Sequence, residues 1–373
     1  LYNYRWRREG SLMSQAGKDL DSKMEEHLHM VDIITEYWAK HNLLDKYGSD
    51  FVCWLLDFMF YDLQNRKLKH RIEHIKNLQK IMKQFELEKF YQELNSECSV
   101  DAISMLPDSN GFFRPNIDKQ KCIECGICLK ICPVENPSYK NFDNPSCYAA
   151  WATDDIRKKS SSGGAFTVFA EKILENKGVV CGAGLEEDNI HVNHKWIENK
   201  FELKLLQGSK YVQSNIQKTY YEAEQYLLKE IPVLYTGCPC QIAGLKAYLG
   251  KEYDQLLTVD LICHGIPSIK VLKKYVEEKE KQYGKISDLK FRTKDLKRGW
   301  SQSVTIKFKN GNCESIYEER NKSDYLNAFL KTLSICQSCK FCKFARLPRQ
   351  GDLTIGDFWG IEKYDSTLDD GLG

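Results

Sequence analysis

The sequence predicts a mixed α/β protein in three parts: a helical N-terminal segment over residues 1–95, a small cysteine-rich segment over 96–140, and an α/β domain over 147–373. Three observations carry that prediction. Apolar residues recur at spacings of three and four in the first part, cysteines crowd into one short run in the second, and short apolar runs alternate with helical patterns in the third.

Composition bounds the function before any motif is read. A chain of 373 residues is long enough for two or three domains with cores of their own. The net charge of +2 offers no electrostatic footprint for nucleic acid. No apolar run reaches transmembrane length. The 15 cysteines, in a long chain with no signal-peptide pattern, read as metal ligands in a reducing cytoplasm rather than as disulfides. The chain opens on Leu1 and closes on DDGLG, as expected of a piece of a longer protein.

In the first part, Met24, Leu28, Val31, Ile34 and Trp38 form one apolar stripe, predicting a helix from about Asp21 to Leu44. Ser49 or Asp50 can cap a second helix from Phe51, apolar nearly all round and therefore buried. A third stripe runs Leu68, Ile72, Ile75, Leu78, Met82 and Phe85, with lysines and arginines on its other faces; a solvated helix face explains these more simply than an acidic membrane surface. The opening segment, with Tyr4, Arg5, Arg8, Glu9, Gly10 and Ser11, resembles the tail of a family-two glycosyltransferase. That resemblance covers about the first 85 residues and implies a link to polysaccharide synthesis, with a sugar-linked substrate.

The second part contains KCIECGICLKICP, which spaces Cys122, Cys125, Cys128 and Cys132 as C-x2-C-x2-C-x3-C-P. This is the run by which bacterial-type ferredoxins hold a 4Fe-4S cluster: three thiolates from one tight loop reach three corners of the cube, and Gly126 leaves room for the backbone to wrap it. A zinc knuckle is the alternative, but zinc sites favour two separated pairs, often with histidine. The preceding SECSVDAIS resembles the link between the halves of a two-cluster ferredoxin, with Cys98 in the place of the first half's last cysteine. That implies a single cluster on Cys98, Cys122, Cys125 and Cys128, unless Cys132 replaces Cys98.

The third part reads as strand, Ser/Gly loop, helix and strand through SSSGGAF and GVVCGAG. Ser161, Ser162, Gly163 and Gly164 stand directly before the helix of Phe166 to Leu174, either as an anion site lined by free N–H groups or as a simple cap. Next, Val233 to Thr236 predicts a strand, Gly237 to Cys240 a turn and Gln241 to Leu249 a helix. Leu257 to Ile262 predicts another buried strand, ending at Cys263 and His264; the histidine is a candidate general acid or ligand, or only a hydrogen-bonding residue. Asn310-Gly311 predicts a hairpin. A second C-x2-C-x2-C places Cys336, Cys339 and Cys342 ahead of DLTIGDFWG.

From Cys98 onward the motifs SSSGGAF, GSKYVQS, GCPCQ, DLICHG, FRTKDLKRGW and DLTIGDFWG, in this order, resemble the coenzyme F420 hydrogenase/dehydrogenase beta-subunit family. The resemblance implies an iron-sulfur flavoprotein oxidoreductase: an α/β flavin-binding domain with FAD phosphates on Ser161, Ser162, Gly163 and Gly164 and with Lys210 and Tyr211 nearby. It also implies a second 4Fe-4S cluster on Cys240, Cys263, Cys339 and Cys342, against the alternative of a structural zinc. Ferredoxin or a reduced deazaflavin is the expected donor. Cys238 stands where the family usually has threonine, and Cys336 is an extra thiol, so either is a substitute ligand. An electron-relay subunit, or a glycosyltransferase fused to a structural metal domain, are the other functions these features allow.

Overall fold

The computed structural model describes residues 24–44, isolated positions between 48 and 85, Cys98, and residues 102–295, 299–300, 303–309, 313–368 and 370. The segment similar to a glycosyltransferase tail lies outside the described residues, as does most of the second and third helical stripes. The chain divides into two compact units, Leu1–Ala102 and Ile103–Gly373.

In the first unit the predicted stripe forms helix α1, Met24–Lys40. Val31 and Thr35, one turn apart, are buried, whereas Ile33 and Tyr37 on another face are exposed. Trp38 packs on buried Phe51 with ring centroids 4.9 Å apart.

The second unit opens with the antiparallel hairpin of β1, Ile103–Pro107, and β2, Phe113–Ile117, followed by the short helix α2, Ile127–Ile131. Helices α3, Asp154–Lys159, and α4, Ala165–Glu175, flank the Ser/Gly loop. Next come β3, Val179–Leu185, β4, Val192–Ile197, the single turn α5, Leu203–Leu206, and β5, Ser214–Asn215. Helix α6, Thr219–Leu228, leads to β6, Val233–Gly237; α7, Pro239–Leu249, leads to β7, Leu256–Leu261. Helix α8, Ile269–Tyr283, precedes β8, Lys285–Lys290, and the small pair β9, Lys294–Asp295, and β10, Gly299–Trp300. Strands β11, Ser303–Lys309, and β12, Ser315–Glu319, form the predicted hairpin before α9, Asp324–Leu330, and the short strand β13, Leu353–Ile355.

The principal sheet has the order β13-β7-β6-β3-β4-β5. Strands β13, β7, β6 and β3 are mutually parallel, and β4 runs antiparallel to β3. Burial on both faces explains why β3 and β6 read as nearly continuous apolar runs. One face carries Ala223, Leu227, Ile242 and Leu245 of α6 and α7; Ala170, Leu203 and Leu206 of α4 and α5 belong to a separate buried cluster with Val180, Leu234 and Val259 of the strands. Strands β12-β11-β8 make a second, antiparallel sheet against α8 and α9, with Leu272, Val276, Leu289, Ile306 and Leu326 at its centre.

The structure corrects one local boundary. Helix α7 starts at Pro239 rather than Gln241, so Cys240 sits in its first turn instead of in a preceding loop. Proline at the first helical position loses no hydrogen bond, because that N–H has no intrahelical partner.

Candidate functional site

The parallel run β13-β7-β6 brings three strand ends to one edge of the sheet, the place where α/β folds bind ligands. Gly237 ends β6 and delivers Cys238 and Cys240; Leu261 ends β7 and delivers Cys263. Cys336, Cys339 and Cys342 come from a 3-10 turn, Gln337–Phe341. An isolated bridge between Pro267 and Ile335, and the Cys336 N–H donating to the Ile266 carbonyl at 2.9 Å, fasten that turn to the segment after Cys263.

These thiols act on one another. Burial, with the charges of Cys263, Cys342 and Cys339, pushes Cys240 up to about 12. Burial likewise raises Cys339 to about 11, with Cys336, Cys263 and Cys342 adding to it. Cys238 is raised by its hydrogen bond to Cys263 and by burial, and Cys263 is lowered by the same bond. Four neighbouring thiolates without a cation are therefore unfavourable, and a metal centre is what would hold them deprotonated together. Among the described residues no three His, Cys, Asp or Glu side chains converge on the spacing of a single metal ion. A cubane takes its thiolates at separate corners, whereas zinc gathers them around one point.

The chain that follows Cys342 is anchored at Arg349–Thr354 by Asp260, which is fully buried in β7. Its carboxylate accepts from Arg349 Nη2 at 3.0 Å, the Gln350 and Gly351 N–H groups at 3.1 and 3.0 Å, and the Thr354 hydroxyl at 2.6 Å. Cys336 is held separately: Arg114 Nη2 donates to its sulfur at 3.1 Å, and the Ser338 hydroxyl lies 3.0 Å away.

The Ser/Gly loop lies between α3 and α4, and its carbonyls are already occupied. Trp300 Nε1 donates to the Ser161 carbonyl at 2.7 Å, Lys294 Nζ to the Ser162 carbonyl at 2.6 Å, and the Ala152 N–H to the Gly163 carbonyl at 2.7 Å. The N–H groups of Ser161, Ser162, Gly163 and Gly164 have no acceptor among the described residues. Gly164, at φ 85°, turns the chain into α4. The Ser161 hydroxyl accepts from the Ser209 N–H at 2.9 Å, which brings the GSKYVQS segment alongside.

Within that segment, Lys210 Nζ donates to the Leu206 and Gln207 carbonyls at 2.7 and 2.9 Å, and burial of its ammonium lowers its pKa to about 7. Tyr211 is raised by burial, so its hydroxyl stays a donor. Its ring stacks on Phe329 at 4.8 Å, and His264 meets the same Phe329 edge-on at 5.0 Å. His264 Nε2 lies 3.3 Å from the Phe329 carbonyl. The structure thus brings His264 and Tyr211 to one phenyl ring.

The cysteine loop is shaped by backbone rather than by burial. The Cys122 N–H donates to the Asp118 carbonyl at 2.9 Å, and Gly126 at φ 72° starts α2. Cys125 is exposed, and Cys122, Cys128 and Cys132 are half-buried. Cys98 falls in the first unit, where the Ala102 N–H donates to its sulfur at 3.4 Å. The segment after the loop is tied to the Cys339 and Cys342 segment: Lys343 Nζ to the Val134 carbonyl at 2.6 Å, Tyr139 Oη to the Lys343 carbonyl at 2.9 Å, and Gln350 Nε2 to the Ser138 carbonyl at 3.0 Å.

Several residues gained no role from the sequence. Lys294, Trp300 and Arg292 lie in FRTKDLKRGW, and Trp359 in DLTIGDFWG; Trp300 and Trp359 stack at 4.1 Å. The signal was the pair of tryptophans in short polar loops, where nothing in a helix or strand pattern demands them. His194 is also buried, its Nε2 3.1 Å from the Thr236 carbonyl, and burial drives its pKa down to about 4.

Comparison with known proteins accords with this arrangement. Residues 115–137 match the 4Fe-4S binding domain. Residues 147–219 match the N-terminal part, and residues 232–370 the C-terminal part, of the coenzyme F420 hydrogenase/dehydrogenase beta subunit. No curated protein matches. Among solved structures, the chain is similar to one from the xenon-derivatised F420-reducing [NiFe] hydrogenase complex of Methanosarcina barkeri, with 20% identity over 58% of this chain and 73% of that chain, at a TM-score of 0.40. The two parts of the beta subunit together match more than half of the sequence, and the chain belongs to the coenzyme F420 hydrogenase/dehydrogenase beta-subunit family, with a 4Fe-4S binding domain ahead of it.

Proposed function

We propose that this iron-sulfur redox protein is a flavoenzyme that carries electrons through two 4Fe-4S clusters and FAD to an organic acceptor. The observation that carries the reading is the Ser/Gly loop, whose carbonyls are all engaged while four successive N–H groups are left for an anion. Such a row of donors suits a nucleotide pyrophosphate. Ser161, Ser162, Gly163 and Gly164 would hold the FAD phosphates, with Lys210 and Tyr211 beside them.

One cluster is assigned to the loop of Cys122, Cys125 and Cys128, completed by Cys98 or Cys132. The other is assigned to Cys240, Cys263, Cys339 and Cys342. A cubane passes electrons singly and a flavin can collect two and release a pair, so the combination suits a two-electron organic reaction. The donor is a ferredoxin, a reduced deazaflavin or a partner redox subunit. A sugar-linked acceptor in polysaccharide synthesis follows only from the N-terminal resemblance. His264 is the candidate proton carrier.

The test is anaerobic purification of the full chain with metal, sulfide and flavin analysis. About eight irons per chain and one flavin are expected, given two 4Fe-4S clusters. Protein that shows no flavin absorbance and takes up no FAD would sink the flavoenzyme reading, and four irons with one zinc would make the thiol edge structural.

A further inference from the structure

Two buried arginines near the Ser/Gly loop are held in different ways. Arg157 meets Asp370 with both terminal nitrogens, at 2.7 and 2.6 Å, the two-point pairing of a structural clasp. Arg292, only 8% exposed, meets Asp357 through Nη1 alone at 2.6 Å. Its Nε and Nη2 have no acceptor among the described residues. These two form the side of the guanidinium that grips an oxyanion in a fork, and a buried donor without an acceptor calls for a ligand to meet it.

The surroundings fit a negative group. The Arg292 guanidinium carbon lies 5.0 and 5.7 Å from the ring centres of Trp300 and Trp359. Trp359 is 54% exposed, so this flank opens outward. Arg157, Arg292 and Lys294 bring three cationic groups together, with Asp370 and Asp154 on Arg157 and Asp357 alone on Arg292. Trp300 joins this group directly to the Ser161 carbonyl. Tyr211 lies close enough for the Arg292 charge to act on its phenol, partly opposing the rise that burial causes.

We infer that Arg292, held by Asp357 and flanked by Tyr211 and the Trp300–Trp359 stack, is an oxyanion subsite for a phosphate or carboxylate group beside the Ser/Gly loop. It deepens the proposed flavin site and rests on that reading for one of its two sources of oxyanion. The group belongs either to the flavin nucleotide itself or to a separate acidic organic partner; the guanidinium fork recognises both alike.

The experiment compares the full-length parent with Arg292→Gln and Arg292→Lys under anaerobic conditions. FAD binding is followed by flavin fluorescence, and inorganic phosphate binding by calorimetry on both FAD-loaded and flavin-free protein. Loss of one charge-assisted fork predicts about tenfold weaker binding or more in Arg292→Gln, with Arg292→Lys intermediate because it keeps the charge without the fork. Weakened FAD binding assigns the oxyanion to the flavin. Loss confined to phosphate on FAD-loaded protein assigns it to a separate partner. Equal affinities for both ligands in the parent and variants overturn the subsite. A parent that takes up no FAD ends the flavin reading, while phosphate titration of the flavin-free proteins still decides on Arg292. Should Arg292→Gln fail to fold, the affinities of Arg292→Lys, which retains a cation for Asp357, decide between the same outcomes.

Discussion

For the proposed first cluster, Cys98 and Cys132 are the two candidates for the fourth ligand, and their local settings differ. The Cys98 sulfur accepts the Ala102 N–H at 3.4 Å. Cys132 caps the C-terminal end of α2 in an extended conformation. Replacing Cys98 with serine is expected to reduce iron and sulfide content far more than replacing Cys132, and equal contents in the Cys98→Ser protein and the parent would refute that assignment. His194 bears on stability instead. Its folded pKa of about 4 lies below the ordinary histidine value near 6.5, so the unfolded chain binds the proton first as the pH falls. Its contribution is therefore present above about pH 6.5 and lost on the way down to about pH 4, on the order of 3 kcal/mol. Denaturant midpoints at pH 7 and 4.5 should differ less in His194→Gln than in the parent; identical pH dependence would contradict this.

The proposed flavin site rests on the Ser/Gly loop, and Gly164 is the pivot of that loop. A methyl group there would stand 2.9 Å from Ile156 Cγ2 and 3.1 Å from Ala152 Cβ, in a backbone conformation L-residues rarely adopt. Gly164→Ala is expected to cost about 1–3 kcal/mol and to weaken FAD binding, readable by thermal denaturation and flavin titration. Unchanged values in both would show the loop to be more compliant than its contacts indicate. The sequence made this loop visible because serines and glycines before an apolar periodic run have a local cause. It also made these strands legible, since Val233 to Thr236 and Leu257 to Ile262 are short, mostly apolar runs rich in β-formers, interrupted in the second by Thr258 and Asp260. The start of α7 was misread because Pro239 looked like part of a turn, although proline also opens helices. The Arg292 pairing was illegible for a different reason. Asp357 lies 65 residues away, and nothing local to either residue specifies their meeting.

At the scale of the second unit, the sheet order places the ends of β6 and β7 side by side, and the bridge between Pro267 and Ile335 adds the turn that carries thiols from about a hundred positions further along the chain. Individual strands were expected from their local pattern, but the order of six strands depends on crossovers that no local pattern encodes. The bonds from Lys343, Tyr139 and Gln350 between the two cysteine-bearing segments have a further effect. Segments tied in this way open and close as one cooperative unit, so their amide protons should exchange with solvent together. Stripping iron from the exposed Cys122–Cys132 loop with a chelator would then be registered in the exchange of amides near Cys339 and Cys342, and a variant such as Lys343→Ala should let the first segment open while the second stays closed.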